Sequence, residues 1–97
     1  MIRVMIEQYC KPGKETQLRD LLIDLRAMAM RQRGYICGET LREFINPSLF
    51  KVISTWSNFE DWRTWQQSQQ RLLIDEMIES LTNKKRKLSI FTVDHKK

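Results

Sequence analysis

The chain has 97 residues, with 17 lysines and arginines against 12 aspartates and glutamates, a formal net charge of +5. We predict one domain over residues 1–97, because this length leaves no room for a second hydrophobic core. No apolar stretch is long enough to span a bilayer. Arg3 and Glu7 interrupt the apolar N-terminal run, so no secretory signal is predicted. We therefore expect a cytoplasmic protein that does not bind membranes.

The first predicted element is a strand over residues 2–10, in which alternate side chains point to opposite faces. One face is apolar and the other is mixed; the apolar face carries Ile2, Val4, Ile6 and Cys10, and the mixed face carries Arg3, Met5, Glu7 and Tyr9. Pro12 and Gly13 end this strand. A helix over residues 14–33 follows, with apolar residues at three- and four-residue steps, and Gly34 ends it.

Two more strands follow, over residues 35–43 and 49–56, and the turn Asn46-Pro47-Ser48 predicts a hairpin between them. We expect Gly38 to mark a β-bulge. Ser57 and Glu60 fit a capping box for a second helix that runs to about Thr82. Its two apolar halves do not share one face, so we predict a bend or break within residues 66–70.

The fourth predicted strand covers residues 86–94, and residues 95–97 are predicted to fray. Much of the positive charge lies near this strand, at Lys84, Lys85, Arg86, Lys87, Lys96 and Lys97. Such a cluster can attract phosphates, but we interpret it as the solvated flank of a terminal strand.

The order strand, helix, strand, strand, helix, strand predicts a ferredoxin-like α+β fold, βαββαβ, with both helices on one face of a four-stranded antiparallel sheet. The first and third strands then lie in the centre. Because the other face of the sheet is uncovered, we predict a homodimer that packs face to face. Cys10 and Cys37 lie two strands apart in this arrangement, beyond disulfide reach, and are predicted to be free thiols.

Two segments resemble the antibiotic-biosynthesis-monooxygenase family of the dimeric α/β-barrel superfamily. One is Pro12-Gly13-Lys14-Glu15 after the first strand, with Gly34-Tyr35 opening the second. The more specific one is the run from Thr55 to Ser68, which contains Trp56, Trp62 and Trp65. The resemblance implies two ferredoxin-like protomers packed sheet to sheet, each with a cavity between its sheet and its helices.

The resemblance also implies a range of activities, among them cofactor-free monooxygenation of phenols or quinols and haem degradation. Asp75 stands where the haem-degrading members carry the haem-ligating histidine, and a carboxylate does not replace that imidazole. We interpret Asp75 as a solvated helix residue. His95 is the single histidine and lies in the tail, which argues against imidazole catalysis. We expect no cofactor and no metal, and a small apolar or aromatic compound as ligand.

The candidate catalytic residues are Trp65, Glu7 and Tyr9, and the candidate substrate cavity is lined by Arg3, Trp62 and Trp65. Trp62 and Trp65 can stack on a flat substrate, and Glu7 with a raised pKa can accept a phenolic proton. The alternatives stay open at this point. The tryptophans also suit core packing, which is the commoner role of large aromatic side chains in a small domain. Glu7 and Tyr9 equally suit a dimer interface, and Arg3 suits a cross-strand ion pair.

Three functions compete. The first is a cofactor-independent monooxygenase acting on a small aromatic or quinol-like compound. The second is a non-catalytic dimer that binds a small molecule. The third is a nucleic-acid-binding domain, suggested by the charge, but the sheet lacks the paired-aromatic motif of RNA-recognition domains, so we expect no nucleic-acid partner.

Overall fold

A computed structural model describes residues 1–93 of the chain. The elements are β1 (Ile2–Tyr9), α1 (Glu15–Ala29), β2 (Tyr35–Arg42), β3 (Leu49–Trp56), α2 (Phe59–Gln66), α3 (Gln69–Glu79) and β4 (Lys87–Thr92). The predicted tail at residues 95–97, with His95, lies outside the described residues.

The four strands form one antiparallel sheet in the order β2-β3-β1-β4, which confirms the predicted ferredoxin-like fold. The sheet is not closed. Strand β1 pairs with β3 from Ile2 to Tyr9 and with β4 from Ile2 to Glu7, so it lies between them. The hairpin between β2 and β3 is also confirmed. The register of β2 against β3 shifts between Tyr35 and Cys37. The bulge therefore lies just before Gly38, the residue at which it is predicted from the sequence.

The core lies between the helices and one face of the sheet. The sheet and the helices both contribute buried apolar side chains to it, among them Val4, Ile6, Phe50, Trp56, Leu18, Leu22, Leu25, Trp62, Trp65, Ile74 and Ile78. The opposite face of the sheet, which no helix of residues 1–93 covers, is called the open face below. By strand alternation it carries Arg3, Met5, Glu7, Tyr9, Leu49, Lys51, Ile53, Glu39, Leu41, Ser89 and Phe91.

The predicted break in the second helix is confirmed, because α2 ends at Gln66 and α3 begins at Gln69. Ser68 caps α3, and its hydroxyl accepts from the backbone N–H of Arg71 at 3.2 Å. The break lets Trp62 and Trp65 of α2 and Ile74 and Ile78 of α3 face the same core although their spacing does not suit one straight helix.

The predicted cap of α2 is wrong by one residue. Asn58, not Ser57, is the N-cap, since its backbone is extended and its Oδ1 accepts from the backbone N–H of Asp61 at 2.8 Å. Asparagine suits this position at least as well as serine. Helix α1 is also shorter than predicted, because residues 30–34 are needed to turn the chain back towards β2.

Replacing Asn58 by alanine should therefore lower the free energy of unfolding by about 1 kcal/mol, because an orphan N–H of the first helical turn loses its acceptor. Ser57→Ala is the matched control and should stay within about 0.5 kcal/mol of the parent, as an exposed residue without that role. Urea unfolding followed by circular dichroism measures both. A larger loss for Ser57→Ala would restore the capping box predicted from the sequence.

Candidate active site

The site residues predicted from the sequence divide between the two faces of the sheet. Arg3, Glu7 and Tyr9 lie on the open face. Trp62 and Trp65 lie between the helices and the sheet, with 6% and 2% of their surfaces exposed. The structure therefore does not bring Glu7 and Tyr9 together with Trp65, nor Arg3 with the two tryptophans.

Glu7 and Tyr9 form a small polar cluster on the open face. The Tyr9 hydroxyl donates to Glu7 Oε1 at 2.9 Å, and Lys51 Nζ lies 3.5 Å from Glu7 Oε2. The Tyr9 hydrogen bond, helped by Lys51, lowers the pKa of Glu7, and the same bond raises the pKa of Tyr9. The raised pKa expected for Glu7 is therefore wrong. A carboxylate with a lowered pKa is a weaker base for a phenolic proton.

The three tryptophans meet on the helix-covered face. Trp62 and Trp65 are three residues apart on α2, so they project from the same side of that helix. Trp56, at the end of β3, is 1% exposed, and its ring packs edge-on against Tyr35 with ring centroids 5.4 Å apart. Its indole N–H donates to the Ser54 hydroxyl at 3.0 Å. This bond fixes the orientation of a large ring in the core.

These aromatic side chains border a narrow cleft of about 30 Å³ between the sheet and the helices. Its walls come from α1, β1, β2, β3, α2 and α3 and include Leu25, Ala29, Tyr35, Thr40, Val52, Ser54, Trp56, Trp62, Trp65 and Arg71. The Tyr35 hydroxyl lies against Gly38, where a Cβ would come within 2.6 Å of it. A space of this size holds about two water molecules. The cavity implied by the resemblance is present but narrow.

Arg71 is the cleft residue that the sequence did not point to. It is 4% exposed, its Nε donates to Asp75 Oδ1 at 2.9 Å, and its guanidinium carbon lies 5.8 Å from the Trp65 ring centroid. Asp75 is not the solvated residue expected, because it also contacts Arg86 at 3.4 Å and its side chain is only 18% exposed. An arginine four residues before an aspartate usually indicates an ion pair on the surface of a helix, so this spacing did not indicate that Arg71 is buried.

Three further features of the described residues concern metal ligands, helix length and the cysteines. Within residues 1–93, no three His, Cys, Asp or Glu side chains lie close enough together to hold a metal ion. No helix in the part of the chain that the structure describes is both long and apolar enough to cross a membrane. Cys10 and Cys37 are free thiols, as predicted, and burial raises the pKa of Cys10.

The model of the antibiotic biosynthesis monooxygenase family matches residues 1–74. A conserved protein from Methanosarcina mazei Go1 has a similar structure, with a TM-score of 0.87 and 20% identity over 93% of this chain and 89% of that one. SnoaB, a cofactor-independent oxygenase from Streptomyces nogalater, superposes with a TM-score of 0.84 and 16% identity over 98% and 95% of the two chains. No curated protein sequence matches the chain. At these identities the structural likeness shows the fold, whereas the family match covers most of the sequence; the chain belongs to the antibiotic biosynthesis monooxygenase family.

Proposed function

We propose that this protein is a cofactor-independent monooxygenase that acts on a small aromatic or quinol-like compound. The observation that supports the proposal is the cleft itself. Three tryptophans and Tyr35 border one narrow space between the sheet and the helices of a chain that belongs to this family. Indole and phenol rings offer flat apolar faces on which a flat aromatic substrate can stack.

The reaction proposed converts a ring CH₂ group, or the equivalent CH of its phenol tautomer, into a carbonyl. Loss of one proton gives a carbanion, which passes electrons to O₂ and forms a C–O bond, and the peroxide anion so formed takes up one proton. The resulting hydroperoxide loses water to leave C=O. One oxygen atom enters the product and the other becomes water, and the substrate supplies all the electrons, so no external reductant is needed.

Substrate entry requires the cleft to widen, because about 30 Å³ is too small for an aromatic ring. Helix α1, through Leu25 and Ala29, and β2, through Tyr35 and Thr40, form part of the wall. We expect Trp65, the candidate catalytic residue that lies in this cleft, to position the substrate. Glu7, Tyr9 and Arg3 lie outside the cleft, and we assign them to the subunit interface.

We further propose that two copies form a homodimer by packing their open faces together, which would complete a dimeric α/β barrel. Ile53 and Met5 are paired near the middle of this face, and Leu41 and Phe91 towards its edges are 44% and 52% exposed. Apolar side chains exposed on a helix-free sheet are stabilised when a second sheet covers them. The cytoplasmic location stays a prediction.

Oxygen uptake with anthrone as substrate tests the proposed reaction. The purified protein should consume O₂ and form anthraquinone without added flavin, and dialysis against a metal chelator should not change the rate. Trp65→Phe should lower kcat/KM by at least about tenfold, because a smaller ring leaves the substrate poorly oriented. Glu7→Gln is the control and should keep the parent rate, since Glu7 lies on the other face of the sheet.

Absence of turnover, or its loss on chelation, would contradict the proposed reaction. If anthrone binds without turnover, the protein is better described as a small-molecule-binding dimer. Equal rates for the parent and Trp65→Phe would remove Trp65 from the site.

A further inference from the structure

The buried Arg71 carries more positive charge than its surroundings balance. Asp75 Oδ1 is its one carboxylate partner within residues 1–93, and the same oxygen lies 3.4 Å from Arg86 Nη1. Two guanidinium groups therefore share one carboxylate. Burial lowers the pKa of Arg71, and Asp75 opposes this effect. Arginine nevertheless stays protonated in proteins, so the cleft wall holds a cation that is only partly neutralised.

One end of the Arg71 guanidinium has no hydrogen-bond partner among residues 1–93. Its Nη2 is buried and makes no hydrogen bond within the described residues, whereas its Nε is bonded to Asp75. A buried donor without an acceptor is costly, and more so when it is charged. Arg71 also lies in the first turn of α3, where the helix dipole adds a positive potential. The position thus favours an acceptor with negative charge.

For an acceptor to bind Nη2, the cleft must widen, as substrate entry also requires, because Nη2 is fully buried. Arg71 lines the cleft together with Trp56, Trp62, Trp65 and Tyr35, so one wall offers a cation and the others offer flat apolar surfaces. A carboxylate or phenolate oxygen matches the guanidinium. An aromatic ring attached to that oxygen matches the indoles. These two surfaces together describe a single class of ligand.

We propose that the cleft is selective for aromatic oxyanions, whose carboxylate or phenolate oxygen accepts from Arg71 while the ring packs against the tryptophans. This inference deepens the proposed function and rests on it for the reaction, in which a positive charge beside a phenolic oxygen would favour the deprotonated substrate. Binding, however, is measured without O₂ or turnover. The two tests can therefore fail separately.

Benzoate and benzamide form a matched pair of probes, nearly equal in shape and different in charge. Titration followed by tryptophan fluorescence should show benzoate binding at least about tenfold more tightly than benzamide, as expected for a charge-assisted hydrogen bond to an otherwise unpaired donor. For the phenolate arm, 4-nitrophenol at neutral pH should gain phenolate absorbance on binding, because the site favours the ionised form. A response from only one of the two arms identifies which oxyanion the cleft accepts and still supports the proposal.

Arg71→Met should remove the preference for benzoate and the gain in phenolate absorbance, and weaken benzamide binding much less than benzoate binding, because a neutral amide oxygen accepts a weaker hydrogen bond than a carboxylate. Arg63→Met is the control, since Arg63 lies on α2 with its side chain 55% exposed, and it should keep both signals. If Arg71→Met fails to fold, two measurements on the parent protein test the inference instead. They are its preference for benzoate over benzamide and a shift of the Arg71 Nε–H resonance when benzoate is added.

Equal affinity for benzoate and benzamide together with unchanged 4-nitrophenol absorbance, or no binding of any probe, would overturn the inference. So would a preference for benzoate that survives in a folded Arg71→Met variant. A preference that depends on Arg71, found together with no oxygen uptake from anthrone, would support the oxyanion site and contradict the monooxygenase.

Discussion

Replacing Gly34 by alanine should lower the free energy of unfolding by about 2–5 kcal/mol, from a strained backbone and a steric clash together. Gly34 has φ +86°, a conformation that costs an L-residue with a side chain. A Cβ at this position would lie 2.5 Å from Asp61 Cβ and 2.8 Å from Asp61 Cγ. Asp61 belongs to the first turn of α2, so either the loop or the helix must move.

Gly13→Ala is the matched control, because Gly13 has φ +84° and nothing within 4 Å of the added Cβ. The free energy of unfolding of Gly13→Ala should fall only by the cost of the strained backbone, about 1–2 kcal/mol. Urea unfolding of both variants at one protein concentration gives the difference, which reports the clash with Asp61. Equal losses would show that α2 yields to the added methyl group without cost.

The location of Gly34 connects this prediction to the cleft. Its carbonyl oxygen accepts from the backbone N–H of Ser57 at 2.7 Å, so the loop before β2 is fastened to the connection between β3 and α2. Tyr35, the next residue, packs against Trp56 and lines the cleft. We therefore expect the folded fraction of Gly34→Ala to differ from the parent protein in tryptophan fluorescence, whereas folded Gly13→Ala should match the parent.

The fold could be predicted because each element carries its own periodic signal. The alternation in β1 and the three- and four-residue steps in α1 reflect which side chains face the core, and the structure buries those residues. The break in the second helix followed from the same reasoning, since Trp65 and Ile78 do not share one face of a straight helix. The errors lie at the ends of elements. There Asn58 replaces Ser57 as cap, and α1 ends four residues early.

The candidate site was predicted less well, for two physical reasons. Strand parity separates Glu7 and Tyr9 from the apolar face of β1, but it does not say which face borders the tryptophans until the helices are placed. Arg71 was missed because an arginine is rarely buried. Arg71 pairs with Asp75 within α3 and lies over the Trp65 ring, and Asp75 also binds Arg86. The positions of Trp65 and Arg86 relative to α3 depend on how that helix packs, which the sequence does not show.

Replacing Ile53 by lysine should convert the proposed dimer into a monomer. Ile53 lies near the middle of the open face, opposite Met5 on β1 and Glu39 on β2. Packing two open faces together would take a lysine from each copy out of water, and pairing with Glu39 does not offset that cost, so the association weakens by about a hundredfold or more. In the separate subunit the lysine reaches solvent, so the fold should persist. Analytical ultracentrifugation at micromolar concentration measures the mass.

Ile23→Lys makes the same chemical change on α1, away from the open face, at a side chain that is 55% exposed. It should keep the mass of two chains, and circular dichroism should show both variants folded. A parent protein that sediments as one chain would contradict the proposed dimer outright. A dimer that survives Ile53→Lys but not Ile23→Lys would place the contact on the helices instead. The exposed apolar residues of the open face would then need another partner, and the polar cluster of Glu7, Tyr9 and Lys51 would face solvent or that partner rather than a second copy.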